Sequence, residues 1–412
     1  MIWLLVGYMW LFIHRPFEVW PWLGALHVER LYMLVTILYW ALCAKKTWFP
    51  NRLNPAFACL AAVILLSALT SPYDPGLNKT VEDWLKVAVF FVLVMSTVHT
   101  EEDLQRIVVA FLAIMALYMT HALREFLCGR HVYRMGVARM VGVDASFNDP
   151  NTFGATVLYG IPMVYPVWTL VRNRWQRLGL VGYVGLSAVC ILETGSRSAF
   201  GGLLVLMGLA ALASRHRVRI AVLACIAGLV VWGALREDLQ NRYLTLVDPS
   251  AGPANARGSA ESRTEDFFYG IDIWKHYPLT GVGPGRSGKA IARDMTLMNL
   301  YGQVPAEVGT LGVLSLLAVI GGLVANAIEM RRLTPCADPE TAFLRRVSTA
   351  VLLTLCLLLV LGWGGNNLYR YTWLWFGAFQ AIALHCASAR SHVPDGQLTA
   401  VPARFGYPDL VQ

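Results

Sequence analysis

Long apolar runs separated by short polar or turn-forming intervals cover most of this chain. They lie at Met1 to Ile13, Leu31 to Ala44, Pro55 to Leu69, Trp84 to Val98, Leu104 to Leu127, Thr152 to Val171, Leu178 to Leu192, Ala199 to Ala213 and Val218 to Leu235. Beyond a long polar stretch, three more follow at Val308 to Ile328, Val347 to Leu361 and Tyr371 to His385. Roughly 20 predominantly apolar residues cross a bilayer as a helix, so the pattern predicts an all-α, polytopic integral membrane protein with about twelve transmembrane helices and one long loop. In this reading residues 1–235 carry helices one to nine, 236–305 form the loop, 306–388 carry the last three helices, and 389–412 are a polar tail. The first run has no basic segment before it and no small-residue cleavage site after it, and reads as a retained span rather than a signal peptide.

Charge sets the orientation. The net charge of +8 resides in short clusters between apolar runs rather than along one helix or in a tail, which excludes a nucleic-acid partner. Lys45, Lys46 and Arg52; Arg172, Arg174 and Arg177; Arg215, Arg217 and Arg219; and Arg331, Arg332, Arg345 and Arg346 all fall on one side of a twelve-span layout. By the positive-inside rule that side is the cytoplasm, so both termini are cytoplasmic and the long loop faces the opposite compartment. Arg130, Arg134, Arg139, Arg197 and Arg370 then stand on the side that the rule depletes and need a local reason. Eight cysteines lie mostly inside apolar runs without zinc-type spacing, so neither a disulfide framework nor a metal or other cofactor is inferred.

Candidate chemistry concentrates in three intervals. Arg197 lies in the hairpin Glu193-Thr194-Gly195-Ser196-Arg197-Ser198, where it either anchors a helix end or grips a lipid-linked phosphate with its planar fork. In the long loop, Glu261 to Tyr277 reads as an amphipathic helix with Arg263 near its start, on a solvated face or aimed at the same phosphate. Gly281-Val282-Gly283-Pro284-Gly285 follows. It lacks the Gly-Lys-Ser/Thr ending of a P-loop and supplies a sharp turn instead; Arg286, next in sequence, is a lesser phosphate candidate. In the earlier Phe147-Asn148-Asp149-Pro150-Asn151 segment, Asp149 or Asn151 is placed to cap the helix that follows.

The order Arg263, Trp274, Gly-Val-Gly-Pro-Gly, Asn299-Leu300-Tyr301, Ala306-Glu307-Val308-Gly309 and Gly312 resembles the signature of the O-antigen ligase and O-antigen polymerase family. Ser196-Arg197 and the segment around Asn148 match further family positions. The resemblance implies a metal-independent membrane glycosyltransferase of the bacterial inner membrane that moves a glycan from an undecaprenyl-diphosphate carrier to an acceptor hydroxyl at a periplasmic site. The acceptor is lipid A core for a ligase, the growing glycan for a polymerase, or a protein hydroxyl. It implies Arg197 and Arg263 as diphosphate ligands, Glu307 as a catalytic position, and Arg286, Asn299, Tyr301, Arg139 and Arg370 as substrate-binding candidates. Relatives carry a His, the acceptor base, immediately before the Asn; here that position is Met298. Either another group takes the proton (His131, His276, Asp294 or Glu307 among the side chains), or catalysis is lost, or a His has been replaced. A transporter of lipid-linked glycans is the reading from outside enzymes, and would call for an internal repeat and midspan charges that the sequence does not display.

The layout makes a direct forecast: a reporter fused after Ser388 should be read in the cytoplasm, and one inserted near Gly252 on the opposite side. A cytoplasmic signal from the Gly252 insertion would place the long loop where a flipped lipid-linked donor is not found.

Overall fold

The computed structural model describes residues 1–134, 136–144, 148–213, 235–245, 255–334 and 338–391, with isolated positions between 217 and 233. In chain order the helices are α1 (Ile2–His14), α2 (Pro16–Val19), α3 (Pro21–Ala25), α4 (Val28–Leu42), α5 (Leu53–Leu69), α6 (Lys79–Thr97), α7 (Glu101–Leu127), α8 (Pro150–Gly160), α9 (Val164–Leu170), α10 (Arg174–Glu193), α11 (Arg197–Ala213), α12 (Glu237–Leu244), α13 (Asn255–His276), α14 (Ser287–Ala290), α15 (Leu300–Leu333), α16 (Ala342–Gly362) and α17 (Tyr371–Ser391). Each apolar run falls on one of them, with two exceptions: Thr152 to Val171 is divided between α8 and α9 by a 3-10 turn at Ile161–Met163, and Val218 to Leu235 lies mostly outside the described residues, as do Phe147, Arg215 and the tail beyond 391 entirely.

Among the described residues, five stretches are long and apolar enough to cross a membrane: Glu101–Leu127, Pro150–Leu170, Arg174–Glu193, Leu300–Leu333 and Ala342–Gly362. The helices α1, α5 and α11 are apolar but shorter, and α6 opens with Lys79, Glu82, Asp83 and Lys86. The expected count of about twelve spans goes beyond what helix length and apolarity establish. Two further details differ from the sequence reading. The polar interval before α8 contains an antiparallel hairpin, β1 (Val132–Arg134) and β2 (Val137–Arg139), so the fold is not wholly helical. The long loop is itself largely helical, holding α12, α13 and α14.

At the centre stands α17, buried around nearly its whole circumference from Tyr371 to Leu384; a helix that is apolar on every side belongs inside a bundle. Trp375 packs on Phe12 and Phe90 with ring centroids 5.1 and 4.2 Å apart, and Phe376 on Phe111 at 5.3 Å. Its one buried amide, Gln380, donates to the Leu323 carbonyl and the Ser348 hydroxyl, both at 3.1 Å, tying α17 to α15 and α16.

The feature that positions the site is the break in α15. The sequence pattern starts this helix near Val308, but it begins at Leu300, because the Asn299 side chain caps it by accepting the amides of Tyr301 and Gly302. Pro305 lies inside, and at Gly309 the backbone leaves the helical region altogether (φ 64°, ψ −164°). Such a break strands backbone donors and acceptors that must find partners away from water. The loop after α13 supplies them. Before the break, the carbonyls of Ala306 and Glu307 accept the amides of Val282 (2.8 Å) and Gly283 (3.0 Å); after it, the amides of Thr310 and Leu311 donate to the carbonyls of Pro278 (2.8 Å) and Leu279 (3.3 Å). The glycine turn and the Glu-x-Gly step are therefore two halves of one lock, and Gly281, Gly283, Gly285 and Gly309 all have positive φ.

Glu307 closes this lock. Fully buried, its carboxylate accepts the Gly285 amide (3.0 Å), the Ser287 hydroxyl (2.6 Å), the Gln303 amide (3.2 Å) and the Tyr369 hydroxyl (2.8 Å). Burial, then the adjacent carboxylate, push the Tyr369 phenol well above its ordinary value, so it remains a donor. Alongside, α13 crosses the first turns of α15 at Gly270 and Gly302, close enough that a Cβ on Gly302 would lie 2.7 Å from the Asp266 carbonyl oxygen.

Two outcomes follow for stability. Gly302→Ala drives a methyl into the α13 backbone, and overpacking of this kind costs about 1–3 kcal/mol; it should lower the melting temperature in detergent, while Gly182→Ala, with nothing within 4 Å of the added carbon, should not. Glu307→Gln replaces one acceptor oxygen with a donor that faces donors, at a cost of about 1–3 kcal/mol for each group left unsatisfied. An unchanged melting curve for Glu307→Gln would show that the carboxylate does not hold the glycine turn.

Candidate functional site

A cleft opens where α8, α11, α13, the residue before Asn299 and the α16–α17 turn meet. It is lined by Asp149, Asn151 and Thr152 from the start of α8, Ser198 from the start of α11, Arg263 from α13, Met298, and the turn residues from Gly364 to Asn367 with Arg370. Its volume, about 40 Å³ measured over positions open to a water's centre, has room for roughly three waters.

The local sequence explains each wall. Asp149-Pro150 starts α8: the Asp149 Oδ2 accepts the Thr152 amide at 2.8 Å and proline occupies the first helical position, where its missing N–H costs nothing. The expected cap is thus Asp149, while Asn151 accepts a 3.0 Å bond from Arg139. Across the cleft, Gly195 turns with φ 56° and Ser196 precedes α11, its Oγ accepting the Ala199 amide at 3.4 Å. The carbonyls that α10 leaves open at its C-terminus are claimed one by one: Leu192 by the Tyr243 hydroxyl (2.8 Å), Glu193 by the Met140 amide (2.9 Å), Thr194 by Arg139 Nε (2.7 Å) and Gly195 by Arg242 Nε (2.6 Å). Two arginines at a helix C-terminus suit its partial negative charge.

Of the sequence candidates, Arg263, Met298 and Arg370 share this cleft. Arg263 donates through Nη1 to the Gly364 carbonyl, and Arg370 Nη2 donates to the Thr152 hydroxyl at 3.0 Å. Burial lowers the Arg370 guanidinium from its ordinary value, yet it remains protonated; a desolvated cation attracts an anion more strongly than an exposed one. Arg139, 1 % exposed, stands one layer back behind Asn151. Arg197 is not among the cleft's lining residues; its Nη1 donates to the Thr245 hydroxyl at 3.2 Å, though its neighbour Ser198 faces the cleft.

The remaining candidates hold the walls together. Asn299 is fully buried, and its amide donates to the carbonyls of Arg263 (3.1 Å) and Trp363 (3.2 Å), joining α13, α15 and the α16–α17 turn around position 298. Tyr301 donates to the Leu359 carbonyl at 2.8 Å. Arg286 is buried against the carbonyls of Gly76 (2.8 Å) and Ala68 (3.5 Å), away from the cleft, and Glu307 serves the lock described above. Of the other proton acceptors considered, His131, His276 and Asp294 are exposed, and none lines the cleft.

Sequence reasoning missed several participants. Asp266, 5 % exposed, accepts the Met298 amide at 2.8 Å and pairs with Arg293 at 3.2 Å, fixing the backbone at position 298. Asn366 donates to the Thr296 hydroxyl at 3.0 Å. Asn367 donates to the Leu358 carbonyl at 2.7 Å, while its buried Oδ1 takes no hydrogen bond among the described residues, an acceptor position suited to a ligand hydroxyl. The Gly364-Gly365-Asn366-Asn367 run is itself a turn signal between two apolar stretches; its place opposite α8 is not encoded locally.

Comparison with known proteins bears on this geometry. No curated protein matches the chain. Residues 182–314 match the family model described as O-antigen ligase, a segment that holds Arg197, Arg263, Met298 and Glu307 and ends just past the break in α15, whereas Arg139 and Arg370 lie outside it. Over this segment the chain is similar to the O-antigen ligase family, within an architecture of several helices apolar enough to cross a membrane.

Proposed function

We propose that this protein transfers a glycan from an undecaprenyl-diphosphate-linked donor to an acceptor hydroxyl, most specifically O-antigen to lipid A core, at a periplasmic site on the bacterial inner membrane. The observation that carries the proposal is the meeting of Arg263 and Arg370 on one cleft with the first residues of α8 and α11. A sugar carbon bonded to diphosphate already has a good leaving group, so the site's main task is to stabilise the charge that grows on the departing diphosphate. Two planar guanidinium groups, aided by the positive ends of two helices, suit that task. Their orientation is set before substrate arrives, by Gly364 for Arg263 and Thr152 for Arg370.

Arg197 contributes at the rim, holding Thr245 at the end of α12 against the start of α11. Arg139, Asn299 and Glu307 support the walls, Tyr301 steadies the first turn of α15, and Arg286 steadies the glycine turn. A polymerase or a protein-directed ligase differs in the acceptor alone. A second reading, a donor-binding member without transfer, is favoured by one observation: the thioether of Met298, which takes no proton, lines the cleft at the position that the resemblance assigns to a histidine.

The test is a transfer assay on the purified protein with undecaprenyl-diphosphate-linked O-antigen units and a panel of acceptors. Losing a hydrogen bond to a charged group costs about 1.5–3 kcal/mol, which is roughly ten- to a hundredfold in rate when expressed in the transition state. Arg263→Lys and Arg370→Lys should each lose that much, since a point charge does not reproduce the fork, and Arg197→Lys should lose less. Wild-type rates in both Arg263→Lys and Arg370→Lys would sink the assignment of the cleft to the diphosphate.

A further inference from the structure

With Met at position 298, the acceptor hydroxyl needs another proton acceptor. Among the described residues that line the cleft there is no histidine and one carboxylate, that of Asp149. It is partly exposed, and its Oδ2 is held by the Thr152 amide at 2.8 Å, which fixes the plane of the group. The same Thr152 accepts a hydrogen bond from Arg370 through its hydroxyl at 3.0 Å. One residue thus holds an acid and a cation together on the wall of the cleft that Arg263 and Met298 also line.

We propose that Asp149 is the general base of transfer in this protein, taking the role that relatives give to the histidine at position 298; this rests on the glycan-transfer reading above. The acceptor O–H bond breaks and its proton passes to the Asp149 carboxylate. The oxygen forms a bond to the anomeric carbon, and the electron pair of the carbon–oxygen bond leaves with the diphosphate, facing Arg263 and Arg370. Atoms and charge balance without a co-reactant. The N-cap role does not compete, because capping uses one carboxylate oxygen and the second remains to accept the proton.

Asp149→Asn separates the two roles, since asparagine caps a helix as well as aspartate does but is not a base at neutral pH. Purified variants in lipid nanodiscs are compared in two measurements: binding of undecaprenyl diphosphate, and transfer from an undecaprenyl-diphosphate-linked O-antigen unit to lipid A core, to the glycan itself or to a serine-bearing peptide. Binding by Asp149→Asn should stay within a few-fold of wild type while transfer falls by about 10²–10⁴, the usual worth of a positioned base. Adding Met298→His to Asp149→Asn should recover at least a tenfold part of that loss, which a merely structural aspartate would not allow. Transfer by Asp149→Asn at the wild-type rate, parallel loss of undecaprenyl diphosphate binding, or no recovery with Met298→His would each reduce Asp149 to a helix cap. A wild-type protein that binds undecaprenyl diphosphate but transfers to no acceptor would overturn the transfer reading itself, and this role with it.

Discussion

The break at Gly309 is the constraint around which this end of the molecule is built. A helix interrupted beside the membrane leaves amides and carbonyls that no solvent reaches, and each must be paired. The pairing is done by backbone from Pro278 to Gly283, which explains why that loop needs glycines at positive φ: any Cβ on Gly281 or Gly309 would lie within 2.5 Å of main-chain atoms of the opposing strand of the lock. Glu307 extends the pairing to Tyr369, and through it the α16–α17 turn is referred to the same break. Helix interruption, glycine turn and far turn thus form one rigid unit.

Asn299 does for the cleft what Glu307 does for the lock. Its oxygen caps α15 and its amide gathers the carbonyls of Arg263 and Trp363. All four of its side-chain hydrogen bonds are made to backbone, so the chain at 298 and that at Arg263 are brought to one place by a residue that need not touch substrate. Asp266 adds a second hold on the amide of Met298. The backbone at position 298 is thus held from two sides, by Asn299 and by Asp266.

Arginine carries two different tasks here. Arg139, Arg242 and Arg286 are buried and directed to carbonyl oxygens, where their forks satisfy chain ends that would otherwise be stranded in a low-dielectric setting. Arg263 and Arg370 also hold carbonyl or hydroxyl oxygens, but they do so at the edge of a cleft. A buried arginine in such a protein is therefore not by itself a mark of the substrate site.

Much of the helical layout was legible along the chain because apolar length and polar interruption are local properties: the runs at Leu104 to Leu127 and Val347 to Leu361 reappear as α7 and α16 within a few residues. A cap at Asp149 or Asn151 and the turn at Gly195 were legible for the same reason, each being set by its immediate neighbours, although the choice of Asp149 was made by the fold. The early start of α15 at Leu300 was not, because Pro305 and Gly309 argue against a helix there and only pairing with residues 24 to 32 positions earlier in the chain offsets the break. Nor did spacing distinguish Arg370, which reaches the cleft, from Arg197, which reaches Thr245. By itself the sequence determined the class of protein and the residue types on offer; which arginines and which acid share one cavity was decided by tertiary structure, since that depends on where distant backbone carbonyls and helix ends come to rest.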